Sequence, residues 1–196
     1  MKVTPTKLKE VLIIEPDAFG DARGFFLETF SQKRYEQALA PYGAGQAGIK
    51  LEFVQDNVSF SAKNVLRGLH FQYPNPQGKL VQVLSGEVFD VAVDIRIGSP
   101  MFGKWIGETL SAANHKQIYI PPGFAHGFCV LERPALFSYK CTDYYNQSNE
   151  GGIIYNDPDI GIVWPVAEPI ISKKDAACPR LRDIPKSKLP QFGDGK

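Results

Sequence analysis

Two segments of the chain combine a histidine with a nearby glycine at the end of a strand-like run. They are Arg67-Gly68-Leu69-His70-Phe71-Gln72 and Pro121-Pro122-Gly123-Phe124-Ala125-His126-Gly127. An imidazole gains and loses a proton near neutral pH, so two of them at one cavity suit acid–base chemistry. A single histidine near a strand is more often structural, and the neighbouring residues decide between these interpretations.

Cationic residues flank the first histidine. Arg67 lies three residues before His70, and Lys79 lies nine residues after it. If these groups share a cavity mouth with His126, they favour an anionic substrate that becomes more anionic as it reacts. The pattern therefore predicts proton transfer on a charged organic molecule.

Two further polar clusters interrupt apolar surroundings. One is Asp21-Ala22-Arg23-Gly24-Phe25-Phe26-Leu27-Glu28, and the other is Gln55-Asp56-Asn57. A turn leading into a strand with a polar face accounts for the first cluster. Polar groups at core positions are costly unless they are paired or meet a ligand, so one of these two is expected for the second cluster.

The elements that must position these residues are mostly short strands. Residues 89–96 alternate between the two faces of a strand, and Ser85-Gly86 separates them from an apolar run at 80–84, which predicts a hairpin. Further strands are expected at 52–59, 104–110, 117–120, 127–131 and 135–142. A helix is expected at 31–40, with Ser31 as N-cap and Pro41 as its stop, and a short helical or irregular region around 172–175. Closely spaced strands punctuated by glycine and proline indicate a sandwich or jelly roll.

Composition narrows the class of protein. The 196 residues, 43% hydrophobic and 22% charged, predict one globular domain over 1–196, with a peripheral tail from about residue 185. The net charge of +1 argues against a nucleic acid polymer as partner. The sequence has no membrane-spanning run and no signal-peptide core, so no membrane partner is expected. Scattered Cys129, Cys141 and Cys178 indicate reduced thiols and a cytoplasmic location.

The two histidine segments resemble the half-motifs of a cupin barrel. The second segment fits as Pro121-x-Gly123-x-x-His126, but a metal-binding cupin normally carries another histidine where this chain has Gln72. One histidine per motif leaves too few nitrogen or carboxylate ligands for a closed metal shell, so no metal is expected.

Nearly the full length resembles the dTDP-4-dehydrorhamnose 3,5-epimerases, a family of cofactor-free cupins. The matching pieces, besides the two histidine segments, are Asp21-x-Arg23-Gly24-x-Phe26-x-Glu28, Gln55-x-Asn57-x-Ser59, Gln77-Gly78-Lys79-Leu80-Val81, Tyr139-Lys140-x-Thr142-x-x-Tyr145, Glu150-Gly151-Gly152, Asp157-Pro158-x-Ile160-Gly161-Ile162-x-Trp164-Pro165 and Ser172-x-Lys174-Asp175. The resemblance implies a mainly β, cupin-type jelly-roll barrel with a few short helices and no cofactor. It also implies inversion of C3 and C5 of dTDP-4-keto-6-deoxy-D-glucose through enolates, giving dTDP-4-keto-L-rhamnose for dTDP-L-rhamnose biosynthesis.

The family pattern assigns four catalytic roles. His70 is the base, and Asp175 fixes its tautomer. Lys79 stabilises the oxyanion that forms on the ketone. Tyr139 is the acid, since a phenol with a pKa of about 10 stays protonated at neutral pH. Without the resemblance, Tyr139 is a buried strand aromatic.

The substrate-binding residues follow from the same resemblance. Those expected to meet the diphosphate, the sugar or the thymine are Phe19, Arg23, Glu28, Gln55, Asn57, Arg67, His126, Tyr145, Glu150 and Lys174. Among them Tyr145 would stack on thymine, and the arginines suit a diphosphate because a guanidinium donates two hydrogen bonds at once. Family members are homodimers with exchanged N-terminal strands, so Arg23 and Glu28 are expected to serve the partner's site.

Three alternatives stay open at this point. A relative that inverts only C3 or only C5, or that isomerises the ketone of the same substrate, shares much of the binding pattern. A nucleotide-sugar-binding module without catalysis is expected to lack the base, the acid or the lysine, and all three are present. A metal-dependent cupin oxygenase is the third alternative, and metal analysis separates it from the others. Trp105, His115 and the cysteines match no functional role.

Overall fold

The computed structural model describes residues 1–43 and 51–193. The strands in these ranges are β1 (Lys2–Pro5), β2 (Leu12–Glu15), β3 (Ala18–Asp21), β4 (Gly24–Leu27), β5 (Gln55–Ser61), β6 (Leu66–Gln72), β7 (Lys79–Ser85), β8 (Glu87–Asp94), β9 (Trp105–Ser111), β10 (Gln117–Ile120), β11 (Phe124–Val130), β12 (Ala135–Cys141) and β13 (Glu150–Gly152). The helices are α1 (Gln32–Leu39) and α2 (Lys173–Ala176), and short 3-10 turns occupy Ala40–Tyr42, Gln147–Asn149, Leu181–Asp183 and Lys186–Lys188.

Two antiparallel sheets face each other. The first has the strand order β1-β2-β10-β7-β12-β5, and the second has the order β13-β6-β11-β8-β9. The hairpin β3-β4 stands apart from both sheets as a two-stranded unit. The architecture is the mainly β, cupin-type jelly roll with few short helices that the sequence predicts.

Side-chain alternation along the strands separates the interior of the barrel from its outer layers. On β8, Val88 and Ala92 belong to the cluster between the sheets, whereas Val91 and Val93 belong to the cluster outside the second sheet. The outer cluster of the second sheet is covered by segments after β13, including Ile160 and others up to residue 189. Both faces of β8 are therefore buried, which explains its nearly continuous apolar run.

Helix α1 covers part of the outer face of the first sheet. Its buried residues Tyr35 and Leu39 pack with Leu12 and Ile14 of β2 and with Tyr119 of β10. The Tyr35 hydroxyl, with one proton to donate, has two acceptors within reach, the Gln117 side-chain oxygen at 2.7 Å and the Thr29 carbonyl at 2.9 Å, so the buried phenol is satisfied. The expected helix is thus confirmed, and it ends before Pro41. Ser31 has the extended conformation of an N-cap, but its hydroxyl makes no capping bond.

Several strand boundaries differ from those expected. Strand β10 covers residues 117–120 as expected, but β11 begins at Phe124 instead of 127 and β5 at Gln55 instead of 52. His70 and His126 therefore lie within strands and not at their ends. Strands β1 and β13 were not expected, because each is short and lacks a buried apolar face.

The stretch after residue 185, where the sequence predicts a peripheral tail, is tied to the barrel as far as residue 193. The Ile97 amide donates to the Pro190 carbonyl at 2.8 Å, the Phe192 amide donates to the Ile97 carbonyl at 2.9 Å, and Leu189 is buried. Residues 194–196 lie outside the described part of the chain. None of the described helices is long and apolar enough to cross a membrane.

Candidate active site

A polar cavity of about 360 Å³ opens where the interior side chains of the barrel change from apolar to polar. On β12, Phe137 belongs to the apolar core, whereas Tyr139 and Cys141 line the cavity. The same change occurs on β7, from Val83 and Val81 to Lys79. The complete lining is Gln55, Asn57, His70, Phe71, Gln72, Gln77, Lys79, Tyr139, Cys141, Tyr145 and Glu150.

His70 forms a hydrogen-bonded pair with Asp175 at this cavity. The His70 Nε2 atom lies 2.8 Å from Asp175 Oδ1, although the two residues are 105 positions apart in sequence. Asp175 is buried in α2, where its amide donates to the Ser172 hydroxyl at 3.0 Å, and its Oδ2 accepts from the Gly68 amide at 3.4 Å. The carboxylate therefore holds the imidazole through Nε2 and leaves Nδ1 to exchange a proton.

Close contact between β6 and β11 determines where His70 stands. A side chain on Gly68, whose φ is +121°, would meet the Gly127 Cα at 2.6 Å and the His126 carbonyl at 2.8 Å. Only glycine allows the two backbones to approach this closely. His70 and His126 are direct cross-strand partners in this pairing.

Lys79 and Tyr139 line the cavity from the sheet opposite His70. The Lys79 Nζ atom is 5.9 Å from the centroid of the Tyr139 ring, and this ammonium group makes no hydrogen bond with another described residue. Burial lowers the pKa of Lys79, and Cys141, Asp90 and Glu150 oppose that shift. Burial raises the pKa of Tyr139, partly offset by nearby Arg67. The site thus combines a phenol that holds its proton with a partly buried ammonium group that makes no side-chain hydrogen bond in the described part of the chain.

His126 forms a second histidine–aspartate pair, deeper in the barrel than the first. Its Nε2 atom lies 2.9 Å from Asp90 Oδ2, and both residues are buried. Burial lowers the pKa of His126, Asp90 opposes the shift, and Lys79 adds to it. Sequence reasoning missed Asp90. The sequence feature that could have revealed it is a carboxylate on the interior face of β8, between Val88 and Ala92.

A charged cluster lies at the rim of the cavity. Glu150 accepts hydrogen bonds from the Tyr145 hydroxyl at 3.0 Å and from Lys174 Nζ at 2.6 Å. Partial burial raises the pKa of Glu150, but these two bonds outweigh it and leave the pKa below its ordinary value. The Gln55 side chain accepts from the Tyr145 amide at 2.9 Å and donates to Asn57 at 3.0 Å. The predicted rim residues therefore form one connected polar network.

Six predicted binding residues do not line this cavity: His126 lies deeper in the barrel, Lys174 contacts Glu150 at the rim, and the other four lie elsewhere. Arg23 is exposed in the β3-β4 turn, where it pairs with Asp21 at 2.5 Å, and Glu28 pairs with Arg34 at 3.4 Å. Phe19 is 67% exposed and, with Glu28, lines a separate groove. Arg67 is exposed and donates to the Ser61 hydroxyl at 3.0 Å. The cavity of the single chain therefore lacks the residues of the N-terminal hairpin.

The residues for which no functional role was expected make packing contacts or are free thiols. Trp105 packs against the core outside the second sheet, and the His115 ring contacts the Phe25 ring at a tilt of 48°, with centroids 4.5 Å apart. All three cysteines are free thiols. Residues 1–43 and 51–193 contain no group of three or more His, Cys, Asp or Glu arranged to hold a metal ion.

Comparison with known proteins agrees with the class that the barrel and its dyad define, a cupin-type isomerase. The model of the dTDP-4-dehydrorhamnose 3,5-epimerase family matches residues 5–183. The 3,5-epimerase of Shigella flexneri is 55% identical over 89% of this chain and 93% of that protein. The dTDP-4-dehydrorhamnose 3-epimerase of Streptomyces niveus is 35% identical over 89% and 81% of the two chains.

A solved structure is also closely similar. The 3,5-epimerase of Legionella pneumophila, crystallised with dTDP-4-keto-L-rhamnose, is 53% identical, has a TM-score of 0.91, and the match covers 97% of this chain and 98% of that one. The chain therefore belongs to the dTDP-4-dehydrorhamnose 3,5-epimerase family.

Proposed function

We infer that this chain is an epimerase that inverts C3 and C5 of dTDP-4-keto-6-deoxy-D-glucose and yields dTDP-4-keto-L-rhamnose for dTDP-L-rhamnose synthesis. The observation that carries the inference is the His70–Asp175 pair, which faces Lys79 and Tyr139 across one cavity. Membership of the family supports both the substrate and the outcome.

Proton transfer between the two faces of the sugar accounts for each inversion. The C4 ketone acidifies the protons on C3 and C5. His70 removes one of them, and the bond electrons move into the enolate while the imidazole becomes imidazolium, which Asp175 stabilises. Tyr139 then gives its hydroxyl proton to the opposite face of the same carbon. Solvent restores both groups before the second centre reacts.

Lys79 is the group that lowers the energy of the enolate. Its ammonium group makes no hydrogen bond with another described residue and is partly buried at the cavity, so it needs no rearrangement to meet the developing oxyanion. Asp90 and Glu150 favour its charged form against the cost of burial. The enolate oxygen is therefore stabilised by a cation that is in place before the reaction begins.

The nucleotide binds at the rim of the cavity. Tyr145 is 54% exposed, which leaves its ring free to stack on thymine, while its hydroxyl is held by Glu150. Lys174 and Arg67 supply positive charge for the diphosphate. The sugar and the base meet amide and carboxylate groups of Gln55, Asn57 and Glu150. His126, the cross-strand partner of His70, approaches the sugar from deeper in the barrel.

The functional unit is a homodimer in which each protomer completes the other's site. The hairpin β3-β4 exposes Phe19, Phe25 and Phe26 at 67%, 62% and 72%, an unusual density of aromatic surface for an isolated protomer. Strand β5 is at the edge of its sheet and exposes Val58 and Phe60. The hairpin of one protomer would thereby bring Phe19, Arg23 and Glu28 to the cavity of its partner. Three free cysteines support a cytoplasmic location.

No metal or organic cofactor takes part in this mechanism. Each proton transfer uses side chains of the chain itself, and the amide of Gln72 occupies the position of a cupin's second histidine ligand. An active protein after exhaustive chelation is the expected result. Loss of activity that added zinc, iron or manganese restores would contradict it.

The alternative is inversion of a single centre, or isomerisation of the ketone, in the same nucleotide sugar. It shares the base, the lysine and the nucleotide site, and a related 3-epimerase exists at 35% identity. The higher identity to 3,5-epimerases favours double inversion.

Proton NMR of the product distinguishes these outcomes. The protein is incubated with dTDP-4-keto-6-deoxy-D-glucose in deuterated water, and a reductase traps the product. Double inversion places deuterium at both C3 and C5 and gives the L-rhamno configuration. Deuterium with inversion at only one carbon would identify a single-centre epimerase, and no exchange at all would reject the function.

A further inference from the structure

The loop that carries Tyr145 has almost no backbone pairing of its own. Backbone hydrogen bonds flank it at the Thr142 amide, which donates to Gly78 at 3.0 Å, and at the Asn149 amide, which donates to Asn146 at 3.0 Å. Within residues 143–146, every other backbone hydrogen bond of the described structure has a side-chain partner. The local bond of the Tyr144 amide to Asp143 Oδ1, at 2.7 Å, is one of these.

Three glutamine side chains supply the other bonds of this loop. The side-chain amide of Gln77 donates to the Asp143 carbonyl at 2.8 Å. The side-chain oxygen of Gln55 accepts from the backbone amide of Tyr145 at 2.9 Å. Gln72 donates to the Tyr144 carbonyl at 3.2 Å and accepts from the Asn146 amide at 2.8 Å. The backbone on both sides of Tyr145 is therefore held by residues outside the loop.

The glutamines come from different parts of the barrel. Gln55 begins β5 in the first sheet, Gln72 ends β6 in the second sheet, and Gln77 lies in the connection from β6 to β7. All three also line the central cavity. The loop is thus fixed relative to both sheets at the point where they border the cavity.

Gln72 is the centre of the arrangement. It is only 6% exposed, and its amide nitrogen also donates to the Asn75 carbonyl at 2.6 Å. A buried amide is costly unless both of its ends are paired, and here both are used on backbone groups. Its cross-strand partner is Glu150, which binds the Tyr145 hydroxyl. Gln72 thereby binds the backbone around Tyr145 and lies opposite the residue whose carboxylate binds the Tyr145 hydroxyl.

We propose that Gln55, Gln72 and Gln77 form a clamp that positions Tyr145 for the nucleotide base, with Gln72 as its main positioning residue. The clamp holds the ring in its bound orientation before the ligand arrives, so binding does not have to order the loop. The effect on nucleotide affinity rests on the proposed stacking role of Tyr145. The clamp itself rests on the hydrogen bonds alone.

The test compares Gln72→Met with Gln147→Met. Both changes remove a side-chain amide, but Gln147 is exposed beside the loop and its side chain makes no hydrogen bond with a described residue. Three measurements are made on each folded protein: the dissociation constant of dTDP, inhibition by inorganic pyrophosphate, and amide hydrogen exchange across residues 143–147. Gln77→Met, which removes only the bond to Asp143, tests the same clamp if Gln72→Met does not fold.

Gln72→Met is expected to weaken dTDP binding about tenfold, while pyrophosphate inhibition stays within about twofold. Amide exchange in the loop becomes faster in Gln72→Met and is unchanged in Gln147→Met. In a Tyr145→Ala background, the further loss from Gln72→Met should nearly vanish, because the clamp acts through that ring.

Three results would separate failure of the clamp from failure of the proposed stacking role. Parent-like amide exchange in the loop of both Gln72→Met and Gln77→Met overturns the clamp. An equal loss of dTDP binding with and without Tyr145 also overturns it, since Gln72 then acts on the ligand by another route. Parent-like dTDP binding by Tyr145→Ala instead overturns the stacking role in the proposed function.

Discussion

His70 and His126 lie side by side on β6 and β11, yet burial gives them different chemistry. The His70 side chain is 31% exposed toward the cavity, whereas that of His126 is 7% exposed. Burial lowers the pKa of His126, so its imidazole stays neutral and acts as a hydrogen-bonding group. The base of the proposed reaction is therefore His70, whose carboxylate partner stabilises the imidazolium that forms.

Removing this base gives the first prediction. We expect His70→Asn to reduce kcat by about 10²–10⁴-fold, the usual contribution of a general base, with dTDP binding nearly unchanged. Asp175→Asn should be milder, because the imidazole remains but loses the charge that orients it. The matched control is His115→Asn, which changes a histidine away from the cavity and at a φ of +54° that asparagine tolerates. Parent-like turnover in His70→Asn would reject the assignment.

The alkaline limb of the pH profile belongs to Lys79. Burial favours its neutral amine, so its pKa lies below the ordinary 10.5, and the oxyanion stabiliser is lost as pH rises. The pKa of Tyr139 is shifted the other way, above 10.0, so the acid keeps its proton to higher pH. We expect kcat/KM to fall with rising pH at the Lys79 pKa, and Lys79→Arg to move this limb upward.

The Tyr139→Phe variant serves as the control for this prediction. Its residual kcat/KM should keep the same alkaline limb as the parent protein. A limb that disappears in Tyr139→Phe and persists in Lys79→Arg would assign the titration to the phenol instead.

At the scale of single residues, the sequence predicted the residues that line the cavity better than the hydrogen bonds that hold them in place. Seven of the predicted site residues line it, among them His70, Lys79 and Tyr139. Gln72 was predicted only as a missing metal ligand, because its hydrogen bonds reach residues 144 and 146, far along the chain. Contacts of this range depend on tertiary packing and leave no local pattern in sequence.

Helix α2 is the element on which the dyad depends. It has only four residues, and the Ser172 hydroxyl caps it by accepting from the amide of Asp175 itself. So short a helix is not stable alone, which makes the cap and the bond to Gly68 responsible for the position of the carboxylate. The sequence predicted a helical or irregular region here, but propensity could not show that it docks on β6.

Removal of this cap gives a prediction at the scale of the element. Ser172→Ala should lower the free energy of unfolding by about 1 kcal/mol, and kcat should fall because Asp175 is less well held. The control is Ser31→Ala, since Ser31 occupies the N-cap position of α1 but makes no capping bond. Denaturant unfolding and steady-state kinetics of both variants measure the difference. Equal effects in the two variants would show that the Ser172 cap does not position Asp175.

At the scale of the whole molecule, the proposed homodimer explains why a single protomer leaves Arg23 far from the cavity. The hairpin carries apolar and charged side chains that its own barrel does not cover. The motif order in the sequence predicted these residues as ligand contacts, but no spacing rule states which protomer they serve.

Complementation between two inactive variants tests the exchange. Co-expression of His70→Asn and Arg23→Ala chains with different tags allows the mixed dimer to be purified. If Arg23 serves the partner's cavity, one site has both changes and the other has none, so about half of the parent activity is expected. If Arg23 serves its own cavity, both sites carry one change and the mixed dimer stays as inactive as its parents.

The central claim of the mechanism is that base and acid act on opposite faces of the sugar, because His70 and Tyr139 project from sheets that face each other. The most direct measurement is deuterium incorporation by Tyr139→Phe in deuterated water, with recovered substrate analysed by NMR. The base and Lys79 remain in this variant, so the enolate still forms, but it regains a proton from the original face. We predict exchange into uninverted substrate that is faster than inversion at C3 or C5, whereas the parent protein couples the two. Inversion as fast as exchange in Tyr139→Phe would contradict the claim, because the acid would then have to be another group.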